Sequence, residues 1–388
     1  MKSFCIILQF LAFGITCISI VSLNIQKNLF FFKNPSISRA RRAIMLGLYG
    51  EWTFPIEYMI SPRVNSSLVE KAIEIIQTET CIKFKKVSKV ENSGIKFINN
   101  GICGSNVGKE NIAGPQEIGI SKDCDYIAGA LHEISHMLGV IHEMIRPDRD
   151  NYVKFNREKM DPLIEYNFDK EPEDYIRTYG LKYDYGSVMH YDRIAGAINR
   201  EIITMPKDKN YLHTIGQKTQ FGFNDAKLLN YHYCNSTCQG VKLPCENGGY
   251  PNPHKCTECK CPRFYTGKYC ENLLPSDPTC GERVLIATDQ FKEYTMEGKK
   301  SCYIQILAPV GFKVKLKLIE ALFEESFVCE PGTGLEVKYY KDKSVSGAIF
   351  CGHVTNKVVI SEYQTVIMRY VGKADNHKIK IKYERIKA

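Results

Sequence analysis

The sequence has 388 residues, 16 cysteines and a formal net charge of +9. Its length predicts two to four domains at about 100–200 residues each, and its 44% hydrophobic and 11% aromatic content excludes a disordered polymer. So many cysteines exclude a typical cytosolic enzyme, whose thiols stay reduced, and favour secretion with disulfides. The charge alone leaves a nucleic-acid or other anionic partner open.

The amino-terminal region predicts two processing segments. Residues 1–22 predict a secretory signal peptide, because a basic start precedes a long apolar stretch. The length of that stretch leaves a signal anchor as the alternative. Residues 23–42 predict a short propeptide, because they end in the arginine-rich run Arg39–Arg42. Cleavage after this run would leave Ala43 as the new amino terminus, whereas a solvated basic patch is the alternative.

This leader accounts for most of the positive charge. Residues 1–42 contain six basic and no acidic residues, so the remainder has 46 basic and 43 acidic residues, a net charge of +3. A nucleic-acid partner therefore loses its basis, and we expect none.

Asn65 begins both a predicted helix and a predicted glycosylation sequon. The apolar residues that follow it recur at helical spacing, and Ser67-x-x-Glu70 has the pattern of a capping box. The segments starting at Asn65 and Asn235 are acceptor motifs for N-linked glycans, which suit a secreted glycoprotein.

The strongest chemical signal is a histidine motif within a predicted buried helix. His132 and His136 lie one turn apart on one helix face, so both imidazoles can reach one Zn²⁺. Glu133 is adjacent and suits holding the metal-bound water. His142 joins the metal only if the chain turns, which Gly139 permits. Three histidines with an open fourth position predict a catalytic zinc site; the alternative is hydrogen-bonded core histidines without metal.

Two further segments carry a family resemblance. His142 begins the run HEMIRPDRDNY, and residues 187–191 read SVMHY, as in a Met-turn. Together with the histidine motif they resemble the astacin family of metzincin zinc metalloproteinases, of the nematode astacin-like type. The resemblance runs from about Ala43 to Cys234. It implies a two-lobed α+β catalytic domain with a twisted sheet and two helices in its first lobe.

The resemblance also implies roles for individual residues. The three histidines would ligate zinc and the adjacent glutamate would be the general base: His132, His136, His142 and Glu133. Met189 would lie as an apolar floor beneath the zinc, and Tyr191 would swing to stabilise the oxyanion. We interpret His190 as structural, because three ligands are already assigned.

The same resemblance connects processing with assembly of the site. In that family the freed amino terminus is buried and pairs with the glutamate after the third histidine, which implies an Ala43–Glu143 pair. An ordinary solvated Glu143 is the alternative. The family's usual zinc-blocking aspartate is missing, because residues 23–42 contain no Asp, Glu, Cys or His. Latency of the zymogen would therefore be steric or incomplete.

The 14 cysteines after the signal fall into three spacing groups. In the catalytic domain the resemblance implies the pairs Cys81–Cys234 and Cys103–Cys124. Six more crowd into residues 238–270, a segment too small for a sizeable core, and resemble an EGF-like module. A zinc knuckle is the rival, because Cys256-x-x-Cys259 is metal-like. Their pairing stays open.

The C-terminal part predicts a linker and an all-β domain. Residues 272–279 contain two prolines and predict the linker. Residues 312–318 alternate apolar side chains with lysines, and similar short runs recur, which favours a β-sandwich. The four cysteines of this segment resemble those of a CUB domain, which implies the pairs Cys280–Cys302 and Cys329–Cys351. We expect no calcium site there.

These features predict a multidomain fold: an α+β two-lobed metzincin domain, a small disulfide-rich EGF-like module and an all-β CUB sandwich. The predicted order is signal peptide 1–22, propeptide 23–42, astacin-like zinc peptidase 43–237, EGF-like module 238–271, linker 272–279 and CUB-like domain 280–388.

The predicted function is that of a secreted zinc metalloendopeptidase that cleaves extracellular proteins, with one Zn²⁺ per catalytic domain. The EGF-like and CUB modules would mediate protein contacts, and we expect no membrane span in the mature chain. One alternative is a catalytically silent metzincin acting as an extracellular binding or adhesion protein, against which the intact Glu133 argues. A zinc amidase for small molecules is a third class, disfavoured because appended modules suit macromolecules.

Overall fold

The structure is a computed structural model that describes residues 42–47, 49–110 and 113–388. The predicted signal peptide, and the predicted propeptide apart from Arg42, lie outside the described residues. Within the described ranges, no helix is long and apolar enough to cross a membrane.

The peptidase region contains a parallel sheet whose apolar side chains share one core with three helices. Four strands form this sheet in the order β3-β2-β4-β5, and each neighbouring pair is parallel. The same region also contains two separate two-stranded antiparallel sheets, β1 with β7 and β6 with β8. The elements are β1 Arg42–Met45, β2 Ile56–Ile60, α1 Ser66–Glu79, β3 Phe84–Lys86, β4 Gly94–Ile98, β5 Pro115–Gly119, α2 Ile127–Met137, β6 Val153–Phe155, β7 Ile176–Thr178, β8 Thr204–Pro206 and α3 Phe223–Tyr233.

Helix α1 has the predicted buried face but a different cap. The side-chain oxygen of Asn65 accepts a hydrogen bond from Leu68 N at 3.4 Å and so caps the helix. Glu70 accepts instead from Lys86 Nζ, 2.6 Å away on β3. The predicted Ser67–Glu70 capping box was therefore wrong, because Asn65, two residues before Ser67, already caps the helix and Glu70 binds Lys86 instead.

The disulfides agree with the resemblances and complete the small module. All four implied pairs are present: Cys81–Cys234, Cys103–Cys124, Cys280–Cys302 and Cys329–Cys351. The module's six cysteines pair as Cys238–Cys256, Cys245–Cys259 and Cys261–Cys270. Both cysteines of the metal-like spacing are thus in disulfides, which excludes the zinc knuckle. The module holds two hairpins, β9 Tyr250–Asn252 with β10 Lys255–Lys260, and β11 Tyr265–Thr266 with β12 Asn272–Leu273.

The C-terminal region is a β-sandwich, as the alternating pattern predicted. A five-stranded sheet, β13-β15-β20-β17-β18, shares a core with a four-stranded sheet, β14-β21-β16-β19. In β16 the side chains of Val314, Leu316 and Leu318 are buried while the intervening lysines are partly exposed. The strands are β13 Val284–Ile286, β14 Lys292–Glu297, β15 Lys300–Leu307, β16 Phe312–Leu322, β17 Gly334–Lys338, β18 Ala348–Phe350, β19 His353–Ile360, β20 Thr365–Gly372 and β21 Lys378–Lys387.

The sandwich packs directly on the peptidase region through a layer of tyrosines. The rings of Tyr185 and Tyr211 stack with centroids 4.5 Å apart, and Tyr211 stacks on Tyr340 of the sandwich at 5.7 Å. Beside them, Tyr339 donates its hydroxyl hydrogen to Asp208 Oδ2 at 2.5 Å. Side chains of the two regions therefore belong to one hydrophobic core.

Candidate active site

Helix α2 positions the first two predicted zinc ligands. His132 Nδ1 lies 2.8 Å from Val188 O, and His136 Nδ1 lies 2.8 Å from Val140 O. Because a carbonyl oxygen only accepts, each Nδ1 carries the proton. The Nε2 atom of each ring is thereby left with its lone pair free for a metal.

The third histidine reaches the same point because the chain turns at Gly139. This residue has a φ of +94°, a left-handed conformation that suits glycine. The helix ends at Met137, and His142 Nε2 then lies 3.1 Å from the Nε2 atoms of both His132 and His136. The turn required by the sequence pattern is therefore present.

These three imidazoles fit a zinc ion. Their ligand atoms all lie within 4.8 Å of one another, and no other such group occurs in the described part of the chain. Burial lowers the pKa of His136 to about 3 and the pKa of His142 well below its usual value. The rings are therefore neutral at physiological pH and able to donate lone pairs, and three nitrogen ligands suit a zinc site with an open position.

Glu133 lies beside this group with one carboxylate oxygen unused. Its Oε2 atom is buried and has no hydrogen-bond partner among the described residues. Burial raises the pKa of Glu133 to about 7. A buried carboxylate oxygen without a partner calls for a polar group from outside the chain, and a water molecule at the metal would supply it.

Tyr191 borders the same group. The Tyr191 ring contacts the His142 ring edge-on, with centroids 4.4 Å apart. Burial, followed by the charge of Glu133, raises the pKa of Tyr191 to about 12, so its hydroxyl keeps the proton and remains a donor. Met189 is completely buried.

His190 is occupied by other contacts. Its Nε2 lies 2.7 Å from the hydroxyl of Tyr183, and its Nδ1 lies 2.7 Å from Tyr191 O. Burial lowers the pKa of His190 to about 4, so the ring is neutral. These contacts fit the structural interpretation of His190.

A buried ion pair next to the site was missed from the sequence. Glu143 Oε1 accepts hydrogen bonds from Arg146 Nη1 and Asp184 N, each at 2.8 Å. Arg146 also donates to Asp148 at 2.9 and 3.0 Å. The solvated alternative for Glu143 was wrong, since the residue is buried. The closely spaced charges of residues 143–148 were a usable signal for the Arg146 pair, whereas nothing local pointed to Asp184.

Asp225 was also missed, although it organises the Met-turn segment from helix α3. Its carboxylate accepts from Ser187 Oγ at 2.6 Å, from Val188 N at 3.1 Å and from Gly222 N at 2.9 Å. Val188 in turn holds the ring of His132 through its carbonyl. Asp225 thus helps to orient the ligand His132 indirectly, through Val188, which lies 37 positions before Asp225 in the sequence.

A cleft of about 220 Å³ opens beside the histidines. Its inner wall is helix α2 with His132 and Glu133; its outer wall is formed by Asp192, Ala195 and residues 216–218. Gly216 has a φ of +86°, and a Cβ there would lie 2.2 Å from Asp192 Cβ. Only glycine allows the two segments of the outer wall to touch so closely.

A helix with two histidines one turn apart, an interposed glutamate and a third histidine beyond a glycine turn is the arrangement of the metzincin zinc peptidases. Residues 46–234 match the family Astacin (Peptidase family M12A). Through this domain the chain belongs to the astacin family of zinc metalloproteinases, and zinc is the metal of its three-histidine site.

Similar proteins include several nematode zinc metalloproteinases. "Zinc metalloproteinase nas-34" of Caenorhabditis elegans is 35% identical over 340 residues, which are 86% of this chain and 56% of that protein. "Zinc metalloproteinase dpy-31" of Brugia malayi is 33% identical over 306 residues, 75% of this chain and 50% of that protein. The chain thus spans about half the length of these relatives. Among solved structures, high choriolytic enzyme 1, a hatching enzyme zinc-protease from Oryzias latipes, is 32% identical, with a TM-score of 0.42, over 46% of this chain and 88% of that one.

Proposed function

We propose that this protein is a secreted zinc endopeptidase that hydrolyses peptide bonds of extracellular proteins. One observation carries the proposal: the three-histidine group, the unpartnered carboxylate of Glu133 and the side chain of Tyr191 meet at one cleft. A metal-binding protein without catalysis would not require an unpaired buried carboxylate beside the metal.

The proposed mechanism assigns a separate task to each side chain. The three histidines would hold a zinc ion, which would supply Lewis-acid activation of a water molecule and of the scissile carbonyl. Glu133 takes the proton of the attacking water and passes it to the leaving amine. Tyr191 donates its hydroxyl hydrogen to the developing oxyanion. The carbonyls of Val140 and Val188 keep the imidazole rings oriented throughout.

The proposal includes the modular organisation and the extracellular location. Seven disulfides among the described residues favour an oxidising compartment. The module at 238–271, whose second hairpin ends at Leu273 inside the predicted linker, would be EGF-like, and the sandwich at 280–388 would be a CUB domain. Both would mediate protein contacts. The cleft would divide the peptidase domain, 43–237, into two lobes, and Asn65 and Asn235 would carry glycans.

Processing after Arg42 would complete the enzyme. Ala43 is buried, and its carbonyl accepts a hydrogen bond from Ile141 N at 3.4 Å, one residue before the third histidine. The freed ammonium of Ala43 would be a second cationic partner for Glu143, beside Arg146. Removal of residues 1–42 would then stabilise the segment that carries His142.

This part of the proposal has its own test. The substitution Glu143→Gln in the processed protein should lower both the thermal midpoint and the rate of cleavage, because the buried ammonium loses its counter-charge. The same substitution should act less on the unprocessed chain. Equal effects on both forms would contradict the Ala43–Glu143 pair.

The function itself is tested by cleavage of a denatured protein with the processed, zinc-loaded chain. Glu133→Ala should reduce cleavage by about 10²- to 10⁴-fold, the usual contribution of a general base. Glu158→Ala, an exposed glutamate of the same domain, is the matched control and should leave the rate unchanged. Absence of cleavage by the wild-type protein would favour the alternative of a catalytically silent binding protein. Cleavage of a peptide library should in turn exclude an amidase restricted to small molecules.

A further inference from the structure

The outer wall of the cleft is held from outside the peptidase domain. The sandwich loop, residues 323–333 between β16 and β17, runs along this wall. Its Cys329 is tied to Cys351, and Cys329 N donates to His213 O at 2.7 Å. A disulfide-anchored loop of one domain is thereby docked beside the substrate cleft of another.

Glu330 of this loop makes the most direct contact with the wall. Its carboxylate oxygens accept from Lys218 N at 3.1 and 3.2 Å and from Thr219 Oγ1 at 2.9 Å. Lys218 lines the cleft. On the cleft's inner side, burial and the charges of Glu133 and Glu330 all raise the pKa of Tyr126, which also lines the cleft. The Glu330 carboxylate is therefore bonded directly to a residue that lines the cleft.

Arg193 provides a second contact between the wall and the same loop. Its Nη1 donates to Phe327 O at 2.5 Å, and its guanidinium carbon lies 3.7 Å from the centroid of the Phe327 ring. Arg193 directly follows Asp192, a residue of the outer wall. Both segments of the outer wall are therefore bonded to the sandwich loop.

The buried part of the outer wall, at Gln217, also contacts the sandwich, through Gly186. Gln217 is buried and donates to Gly186 O at 3.1 Å and to Gln220 O at 2.7 Å. A Cβ on Gly186 would lie 2.6 Å from the Cβ of Ser346, a sandwich residue. Residues 216–219 are thus held by the sandwich at two points. Glu330 bonds to them directly, and Ser346 packs against Gly186, to which Gln217 is bonded.

We infer that Glu330 of the sandwich is a positioning residue that sets the shape of the substrate pocket by holding residues 216–219. The inference rests on the proposed peptidase function and deepens it. A surface segment keeps one conformation only when its contacts offset its conformational entropy, and here a charged acceptor supplies the bonds to its exposed end. A substrate side chain that enters the cleft meets Gln217 and Lys218, so a change in their position alters side-chain selectivity more than the chemical step.

The test uses the processed full-length protein and peptides in which the residue on either side of the scissile bond is varied in turn. In Glu330→Ala, the ratio of kcat/KM between the best and the poorest residue should fall at least fivefold at one of the two positions. The change should appear mainly in KM. Glu330→Gln, which keeps an acceptor oxygen, should restore at least half of the selectivity, and Thr219→Val should weaken it. Glu324→Ala, on an exposed residue of the same loop, is the matched control.

Unchanged ratios in Glu330→Ala, or an equal loss of rate for every peptide, would overturn the inference, because a merely structural role would not discriminate among substrates. Equilibrium binding of the same peptides to Glu133→Ala and to Glu133→Ala/Glu330→Ala gives a second readout that needs no cleavage. Loss of binding selectivity in the double variant supports the inference even if the wild-type chain proves inactive, a result that would overturn only the proposed function. Equal selectivity in the two proteins overturns the inference.

Discussion

The inner wall of the cleft is one helix, α2, and the three zinc ligands lie within eleven consecutive residues, His132 to His142, whereas the outer wall depends on segments far apart in the chain. Arg193 and Phe327 are separated by 134 positions, and Lys218 and Glu330 by 112. The zinc ligands and the candidate base are thus local in sequence, while Tyr191 comes from a separate segment and the outer wall of the pocket is held by domain packing. Substitutions at the two walls should therefore fail in different ways.

The largest effect is expected at the metal. His142→Ala leaves two nitrogen ligands for zinc, so bound zinc should fall well below one per chain and cleavage should drop by about 10³-fold or more. Elemental analysis of the purified protein measures the bound zinc, and the rate of cleavage of a denatured protein measures the activity. Full zinc content in this variant would show that the local motif is not the whole metal site.

A smaller loss is expected for the hydroxyl of Tyr191. Tyr191→Phe keeps the ring contact with His142 but removes the donor, so kcat should fall by about 10²-fold with little change in KM. Steady-state kinetics on one peptide separates the two parameters. A rise in KM at constant kcat would instead assign Tyr191 to substrate binding.

Asp225 tests how far the local site depends on distant support. Asp225→Asn keeps one acceptor oxygen but presents a donor amide to groups that already donate, which should cost about 2 kcal/mol of stability. The thermal midpoint should fall, and the zinc dissociation constant should rise because Val188 orients His132. Asp289→Asn, on an exposed sandwich residue, is the control, and an unchanged zinc affinity in Asp225→Asn would restrict its role to folding.

The smallest effect is expected where the outer wall meets the sandwich loop. Arg193→Lys keeps the charge but loses the planar contact with Phe327, at a cost of about 1 kcal/mol. The thermal midpoint should fall by about 2 °C or a little more, and proteolysis within residues 323–333 should become faster. Zinc content should stay the same; its loss would mean that the two walls are not independent.

Much of the architecture was open to prediction from the sequence. Alternation in residues 312–318 indicated a sandwich strand, and the buried face of α1 followed from helical spacing. The predicted cap of that helix was wrong by two residues, because Ser67 and Asn65 are competing caps and only the position of Lys86 on β3 shows what Glu70 binds. Local patterns identify an element, but the partners of its polar side chains come from elsewhere in the fold.

The same division holds at the site. The spacing of His132, Glu133 and His136 was sufficient to predict the ligands and the candidate base, because residues one helical turn apart must share a face. Only the tertiary structure decided that Glu143 accepts a hydrogen bond from Asp184 N and that Glu330 accepts one from Lys218 N. Those contacts join residues whose separation in sequence does not determine their separation in space, so they exist only once the chain has folded.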